Sequence, residues 1–316
     1  MANHESTGYW AVKKKALVLG GGGARGLAHL GVLRILEMER LHPDLIVGCS
    51  IGAIIGGMYA QTPDIQKVEK RVREFFASEV YRNLKIDRVQ RGIGSENGDD
   101  FLHHVASNLM RTVFVNLVAN RQSILDKDEV DEAINFLIEA GDISETKIPF
   151  ACNAVDLVSG ESVLFREGDI RKAIRASSSI PGYVSPVQQN SGLLVDGAVA
   201  NALPSNYAKE LGADLVISVE VRQKIQPHEN FQGVFDIILR ANMITLDYLY
   251  EELSQNADLI IRPEVGKYNW YDFQKIDELI KAGENAAHSL RRELRTATGK
   301  AKHGFFNRLF PSGKNL

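Results

Sequence analysis

Two strand–loop–helix units follow one another near the start of the chain. The first runs from the apolar "ALVL" through "GGGGARG" into "LAHLGVLRILEMERL", where leucines recur at helical spacing. The second runs from "DLIV" through "GCS" into "GAIIGGMYA". Because strands connected through helices lie parallel in one sheet, this order predicts a parallel sheet with helices on both faces.

The alternation of strand and helix continues along the chain. Further segments have the apolar character of strands, namely 148–157, 162–165, 192–197, 214–221 and 258–263. Helical periodicity lies between most of them, for example over residues 236–253. We therefore predict an α/β protein of three layers, α/β/α, around a central and mainly parallel sheet.

Composition and charge limit the classes of function. The formal net charge is −3 and 44% of the 316 residues are hydrophobic, which is ordinary for a soluble globular protein and does not indicate nucleic-acid binding. The two cysteines, Cys49 and Cys152, are too few for a disulfide framework and favour a reducing compartment. No secretory signal core is visible at the start, and no run approaches the ~18 to 20 apolar residues of a membrane span. We therefore expect a cytoplasmic location.

The glycine-rich loop before the first helix has two interpretations. It fits the dinucleotide fingerprint G-x-G-x-x-G with Gly21, Gly22, Gly23, Ala24, Arg25 and Gly26. A dinucleotide fold would place an acidic residue at the end of the second strand, but Asp44 begins that strand instead. The second interpretation is an oxyanion hole, because amides at a helix N-terminus bind developing negative charge. Its donors would be the amides around Gly22, Gly23 and Ala24, while Arg25 either steadies the loop or holds an anionic headgroup.

A serine follows the second strand in the frame Gly48-Cys49-Ser50-Ile51-Gly52. A G-x-S-x-G sequence between strand and helix is typical of a nucleophilic serine on a tight turn, which Gly48 and Gly52 would permit. The alternative is a serine that only caps the following helix. Cys49 is a rival nucleophile, but its position on the elbow would point its side chain toward the core.

A nucleophilic serine needs a base to accept its proton, and no histidine stands at a position typical of that base. None of the eight histidines follows a strand in a short turn, and His29, beside the glycine loop, is expected to pack or hydrogen-bond. Asp196 ends the apolar strand "GLLVD", and Gly197 follows it. We expect this strand to lie in the parallel sheet, with Asp196 at the carboxyl edge, where Ser50 also lies. A buried carboxylate can accept a serine proton, although an Asp-Gly pair more often only forms a turn. The three motifs together favour a Ser–Asp dyad.

In this order and combination, "GGGGARGLAHLGVL", "GCSIGA", "RASSSIPGYVSPV" and "LVDGAVANALP" resemble the patatin-like phospholipases, in particular their compact bacterial members. The resemblance covers about residues 15–221. It implies Ser50 as nucleophile, Asp196 as its partner and Gly21 to Gly26 as the oxyanion loop. It also implies metal-independent hydrolysis of lipid acyl esters through an acyl-enzyme, of phospholipase A or lysophospholipase type, without a cofactor.

Two parts of the resemblance are less direct. The stretch 175–182 is expected to lie near the site as structure, with no catalytic role for Ser177, Ser178 or Ser179. Gly20 stands where some relatives carry aspartate, which concerns only a contact that positions the loop.

Two other functions stay open. An acyltransferase or thioesterase would use the same serine as an enzyme, whereas a nucleotide-binding regulatory protein would use the glycine loop to hold a cofactor.

The remaining expectations concern organisation and partners. We expect a flexible segment over 1–15, a catalytic domain over 16–298 and a basic, aromatic tail over 299–316. Residues 78–126 predict a helical insertion after the nucleophile helix that caps the site. The tail is either merely solvated or binds the inner membrane face. The expected partner is a lipid or other acyl ester, no metal is expected, and the oligomeric state stays open.

Overall fold

The computed structural model describes residues 14–86, 123–225 and 234–299, together with residues 227 and 231. Eight strands lie in the described part of the chain: β1 Lys15–Leu19, β2 Leu45–Gly48, β3 Phe150–Asp156, β4 Ser162–Phe165, β5 Val187–Gln189, β6 Gly192–Asp196, β7 Leu215–Val219 and β8 Leu259–Ile261.

The α-helices of the described residues are α1 Ala28–Met38, α2 Ile51–Gln61, α3 Ile65–Ala77, α4 Glu79–Asn83, α5 Lys127–Leu137, α6 Ile170–Ser177, α7 Ser205–Glu210, α8 Val234–Ser254, α9 Ile276–Ser289 and α10 Arg291–Ala297. Short 3-10 turns cover Gly23–Leu27, Ile143–Glu145, Gly197–Val199 and Phe273–Lys275. The first of these turns continues the glycine loop into α1.

The strands form one sheet in the order β5-β6-β3-β2-β1-β7-β8, with β4 paired to β3 beside this path. Strands β3, β2, β1, β7 and β8 are mutually parallel. Strands β4 and β6 run antiparallel to β3, and β5 runs antiparallel to β6. The predicted α/β fold with a mainly parallel sheet is confirmed.

Helices cover both faces of the sheet. On one face, alternate residues of β1 such as Leu17 and Leu19 lie in a core with residues of α1, α2 and α9. On the other face, Ala16 and Val18 pack with residues of α7 and with Tyr250 of α8. This alternation along β1 is what a strand buried on both faces requires, and it produces the three layers.

The register of β3 with its neighbours brings the ends of β2 and β6 to one level. Gly48 of β2 lies opposite Cys152 of β3, and Asp196 of β6 lies opposite Ala154. Ser50 follows Gly48 by two residues and therefore reaches the level of Asp196. The expectation that Asp196 ends a parallel strand is wrong, because β3 extends past β2 and pairs its last residues with an antiparallel strand.

Some expectations fall on residues that the structure does not describe. Helix α4 begins the segment 78–126, but residues 87–122 of the expected cap lie outside the described residues. The same holds for residues 1–13 and for the tail beyond residue 299. In the described ranges, no helix has the length and apolarity needed to cross a bilayer.

Candidate active site

Ser50 occupies a strained turn between β2 and α2. Its backbone has φ 55° and ψ −125°, a conformation that residues other than glycine rarely adopt. A Cβ added to Gly48 would lie 2.5 Å from the Gly52 carbonyl oxygen, and one added to Gly52 would overlap the Leu19 carbonyl oxygen. Gly48 therefore lets the end of β2 pack against the first turn of α2, and Gly52 lets that turn pack against β1.

The hydroxyl of Ser50 donates to Asp196. Ser50 Oγ lies 2.5 Å from Asp196 Oδ2, and both side chains are buried. Although Ser50 occupies the N-cap position of α2, its side chain makes no capping hydrogen bond. The capping interpretation therefore does not describe this serine.

Two donors besides Ser50 contact the Asp196 carboxylate, and the Asp196 backbone is held by a third hydrogen bond. Its Oδ1 accepts from the Ala198 amide at 2.8 Å and from Cys49 Sγ at 3.7 Å, and its own backbone N–H donates to Ser179 at 2.9 Å. Burial raises the pKa of Asp196 to about 6, whereas hydrogen bonds from Ser50, Ala198 and Cys49 oppose the rise. The carboxylate is thus ionised at neutral pH and more basic than an exposed aspartate.

Gly197 lets the turn after Asp196 press against β3. A Cβ at this position would lie 2.5 Å from both the side-chain nitrogen and the carbonyl oxygen of Asn153. Asn153 is fully buried, and its Nδ2 donates to the Asn201 carbonyl at 2.9 Å and to the Gly197 carbonyl at 3.4 Å. An amide in the core of β3 therefore fixes the turn that carries Asp196.

The glycine loop lies beside Ser50, since a Cβ added to Gly21 would be 3.4 Å from Ser50 Cβ. The amide of Gly21 donates to the Ala202 carbonyl at 2.8 Å, and that of Ala24 donates to the Trp270 carbonyl at 2.6 Å. Among the described residues, no acceptor takes the amides of Gly22 or Gly23. Of the three expected donors, Gly22 and Gly23 are therefore available to a ligand and Ala24 is not.

The close packing of Gly23 and Gly26 and the hydrogen bonds of Arg25 hold the glycine loop in place. Gly23 has φ 58°, and a Cβ there would overlap the Trp270 carbonyl oxygen. Gly26 leaves room for Ile51 at the start of α2. Arg25 Nε donates to the Gly22 carbonyl at 3.2 Å and its Nη1 to Gln223 at 3.3 Å, while burial lowers the pKa of its guanidinium. Arg25 thus steadies the loop by a direct contact.

Neither His29 nor Cys49 offers competing chemistry. His29 is fully buried, its Nε2 lies 2.8 Å from the Gly20 carbonyl oxygen, and burial lowers its pKa to about 4. Burial and the nearby Asp196 raise the pKa of the Cys49 thiol well above its usual range. None of the described histidines contacts Ser50, which leaves Asp196 as its one ionisable hydrogen-bond partner in the described chain.

Residues 17–209, more than half of the chain, match the sequence profile of the family described as patatin-like phospholipase. The chain belongs to the patatin-like phospholipase family. It is 28% identical to a patatin-like phospholipase domain-containing protein of Caenorhabditis elegans, over 87% of this chain and 20% of the relative.

Other relatives are also longer than this patatin-like chain. It is 27% identical to lysophospholipase NTE1 of Scheffersomyces stipitis, over 87% of the chain and 18% of the relative. It is 28% identical to an NTE family protein of Mycobacterium tuberculosis, over 88% and 46%. The chain therefore spans about a fifth of the length of the first relatives. Among solved structures, VipD from Legionella pneumophila matches with a TM-score of 0.45 and 14% identity, over 90% of this chain and 67% of VipD.

Several residues that build this site were given no individual contact from the sequence, although the stretch 175–182 was expected nearby as structure. Arg175 of α6 is buried, and its guanidinium contacts Asp131 at 2.8 Å, Ser179 Oγ at 2.6 Å and Ser185 Oγ at 2.9 Å. Ser177 Oγ accepts the backbone N–H of Ser50 at 3.0 Å. The signal for Asn153 was present, because a polar amide interrupts the apolar strand "FACNAVD".

Proposed function

We propose that this patatin-like protein hydrolyses acyl esters of lipids, as a phospholipase A or lysophospholipase, with Ser50 as nucleophile and Asp196 as base. The single observation that carries the proposal is the hydrogen bond of 2.5 Å from Ser50 Oγ to Asp196 Oδ2. A buried carboxylate with a raised pKa in direct contact with a serine hydroxyl is the arrangement that proton transfer without histidine requires.

In the first half-reaction, Ser50 Oγ attacks the ester carbonyl carbon while its proton passes to Asp196. The carbonyl oxygen becomes an oxyanion, and the amides of Gly22 and Gly23 donate to it. Collapse of the tetrahedral intermediate expels the alcohol, which takes the proton from Asp196. The acyl group is then bonded to Ser50.

In the second half-reaction, water attacks the acyl-enzyme as Asp196 accepts a water proton. The same two amides hold the second oxyanion. The carboxylic acid leaves when Ser50 Oγ regains its proton from Asp196. Asp196 therefore acts as base and acid in turn, which a pKa of about 6 suits at neutral pH.

The surroundings and the relatives support a lipid substrate. Ile51, Tyr183 and Trp270 are half-buried apolar side chains of the elbow and the adjoining segments. A relative named lysophospholipase, from Scheffersomyces stipitis, aligns over 87% of this chain. We infer that the acyl chain lies against these apolar groups while the carbonyl reaches Ser50.

The test is activity against phospholipids, lysophospholipids and simple esters, with labelling by a fluorophosphonate probe. Wild type is expected to hydrolyse at least one class and to label. Ser50→Ala is expected to lose both, and Asp196→Asn to lose at least about 10³-fold in turnover while remaining folded. Ser289→Ala, which removes an exposed serine hydroxyl of α9, is the matched control and should behave as wild type.

Other outcomes separate the alternatives. Equal labelling of Ser50→Ala and wild type would remove the serine-hydrolase proposal. Faster transfer of the acyl group to an added alcohol than to water would favour an acyltransferase on the same dyad. Preference for acyl thioesters over all oxygen esters would favour a thioesterase.

For location, we propose a cytoplasmic protein that meets its substrate at the inner membrane face through the tail after residue 298. Removal of residues 300–316 is expected to reduce partition onto anionic phospholipid vesicles. Activity on a dispersed, water-soluble ester should stay unchanged, because these residues lie outside the proposed dyad. Equal partition of the full and truncated chains would remove the membrane role of the tail.

A further inference from the structure

Tyr250 of α8 reaches the glycine loop from a part of the chain beyond the family match, which ends at residue 209. Its side chain is buried, and its hydroxyl donates to the Gly21 carbonyl oxygen at 2.8 Å. A second residue beyond the match, Trp270, accepts the Ala24 amide. Two residues from the later part of the chain, Tyr250 and Trp270, therefore hold the glycine loop through hydrogen bonds.

The contact with Gly21 determines the direction of the next amide. A peptide unit is planar and trans, so the C=O of Gly21 and the N–H of Gly22 point in opposite directions. Because the Gly21 oxygen points at Tyr250, the Gly22 N–H points to the opposite side of the loop. That amide belongs to a half-buried residue and has no acceptor among the described residues.

The next peptide unit is oriented in the same manner. Arg25 Nε donates to the Gly22 carbonyl, which turns the Gly23 N–H away from Arg25. The Gly22 and Gly23 amides, which have no acceptor among the described residues, thus share their peptide units with the Gly21 and Gly22 carbonyls. Each of these two carbonyls accepts a hydrogen bond from a side chain. Arg25 lies within the glycine motif, whereas Tyr250 follows Gly21 by 229 residues in the sequence.

Tyr250 is itself fixed in position. The Arg222 guanidinium lies over its ring, 5.3 Å from the centroid. Arg222 in turn forms ion pairs with buried Glu220, with Asp247 at 3.1 Å and with Glu251. Burial raises the pKa of Tyr250, so its hydroxyl keeps the proton that it donates.

We propose that Tyr250 is a positioning residue for the oxyanion hole: its hydroxyl fixes the Gly21–Gly22 peptide plane so that the Gly22 N–H is aimed at the developing oxyanion. This inference rests on the proposed hydrolase function. It predicts that loss of the hydroxyl weakens stabilisation of the transition state and leaves ground-state binding of the ester unchanged.

The test compares Tyr250→Phe with wild type on an ester that wild type hydrolyses. Complete loss of one oxyanion donor typically costs about 10² to 10³ in rate, and a misdirected donor costs less, so kcat should fall about ten- to a hundredfold at unchanged KM. A trifluoromethyl ketone, whose adduct with a serine carries the oxyanion, should bind more weakly by about the same factor. Tyr59→Phe is the matched control, because it removes a hydroxyl that bonds Glu37 on the same protein.

The outcomes are separable. Wild-type kcat in Tyr250→Phe, a rise in KM alone, or an unchanged inhibition constant for the trifluoromethyl ketone would each overturn the positioning role. So would an equal fall in kcat for Tyr59→Phe, because the effect would then follow from general loss of a buried hydroxyl. Activity that survives in Ser50→Ala would instead remove the proposed function itself. Thermal melting of both variants shows that the proteins compared are folded.

Discussion

The backbone N–H of Ser50 donates to the hydroxyl of Ser177 at 3.0 Å. This bond joins the strained turn of Ser50 to the last residue of α6, a helix that follows more than 100 residues later in the chain. The neighbouring hydroxyl of Ser178 is buried without a partner among the described residues. Of these two adjacent serines, only Ser177 forms a hydrogen bond to the proposed nucleophile.

Ser177→Ala is expected to lower both stability and rate. It leaves the Ser50 amide buried and unpaired, which costs about 1 to 3 kcal/mol, and it frees the turn to relax from φ 55°. We expect kcat to fall about tenfold or more and the midpoint of denaturant unfolding to decrease. Ser178→Ala, the neighbouring control, should change neither by a comparable amount. Equal effects of the two substitutions would mean that the Ser50 amide is not the cause.

The rate should depend on the ionisation of Asp196. Since the raised pKa is about 6 and the base must be ionised, kcat/KM is expected to be constant above about pH 7 and to fall about tenfold per unit below pH 6. The measurement uses an uncharged ester, so that only groups of the protein titrate. A limb that persists unchanged in Asp196→Asn, at whatever residual rate, would assign the ionisation to another group.

Asp196→Asn should stabilise the protein at neutral pH. The pKa of Asp196 rises from 3.8 to about 6 on folding, so the folded state binds the extra proton and stability falls as pH rises through this window. About two pKa units correspond to about 3 kcal/mol lost above pH 6. Asparagine carries no charge, and the variant should therefore be more stable by up to about 3 kcal/mol at pH 7.5 and by little at pH 4. A difference that grows toward acid pH would contradict this origin.

The sequence predicted the order of elements better than their direction. Apolar runs identified most strands, but β5, "VQQ", is too short and polar to be detected. Periodicity is the same for a parallel and an antiparallel strand, and β6 was therefore assigned the wrong direction. Its position in the sheet depends on pairing with the last residues of β3, which no local pattern encodes.

In the candidate site too, the sequence predicted the residues of local motifs but not those that depend on distant contacts. Ser50, Asp196 and the glycine loop carry their signal in short motifs, because a tight turn requires particular residues in sequence. Tyr250 and Asn153 act through hydrogen bonds to backbone oxygens that are distant in sequence, and nothing near either residue in sequence indicates its partners. The expectation that the Ala24 amide is a free donor was wrong for the same reason, because that amide donates to the distant Trp270 carbonyl.

Gly23→Ala should damage the loop, because the residue combines φ 58° with contact to the Trp270 carbonyl. A left-handed conformation costs a residue with a Cβ about 1 to 2 kcal/mol, and the overlap must also displace residue 270 or the loop. We expect kcat to fall at least about tenfold and the melting temperature to decrease. Gly266→Ala is the control, since a Cβ there meets no atom within 4 Å. Wild-type kcat in Gly23→Ala would mean that the loop geometry does not limit the reaction.

Arg175→Lys tests whether a guanidinium fork positions Asp196. Arg175 contacts Asp131, Ser179 and Ser185 together, and the Ser179 carbonyl accepts the Asp196 amide. One ammonium group cannot satisfy all three partners, so stability should fall by about 1 to 3 kcal/mol and kcat several-fold, with the kinetic pKa of Asp196 displaced. Arg171→Lys, on the same helix, loses bonds only to carbonyls of α5 and its end, and it should leave the pH profile unchanged. If both lysine variants lose stability but keep the wild-type profile, Arg175 supports the fold without positioning the carboxylate.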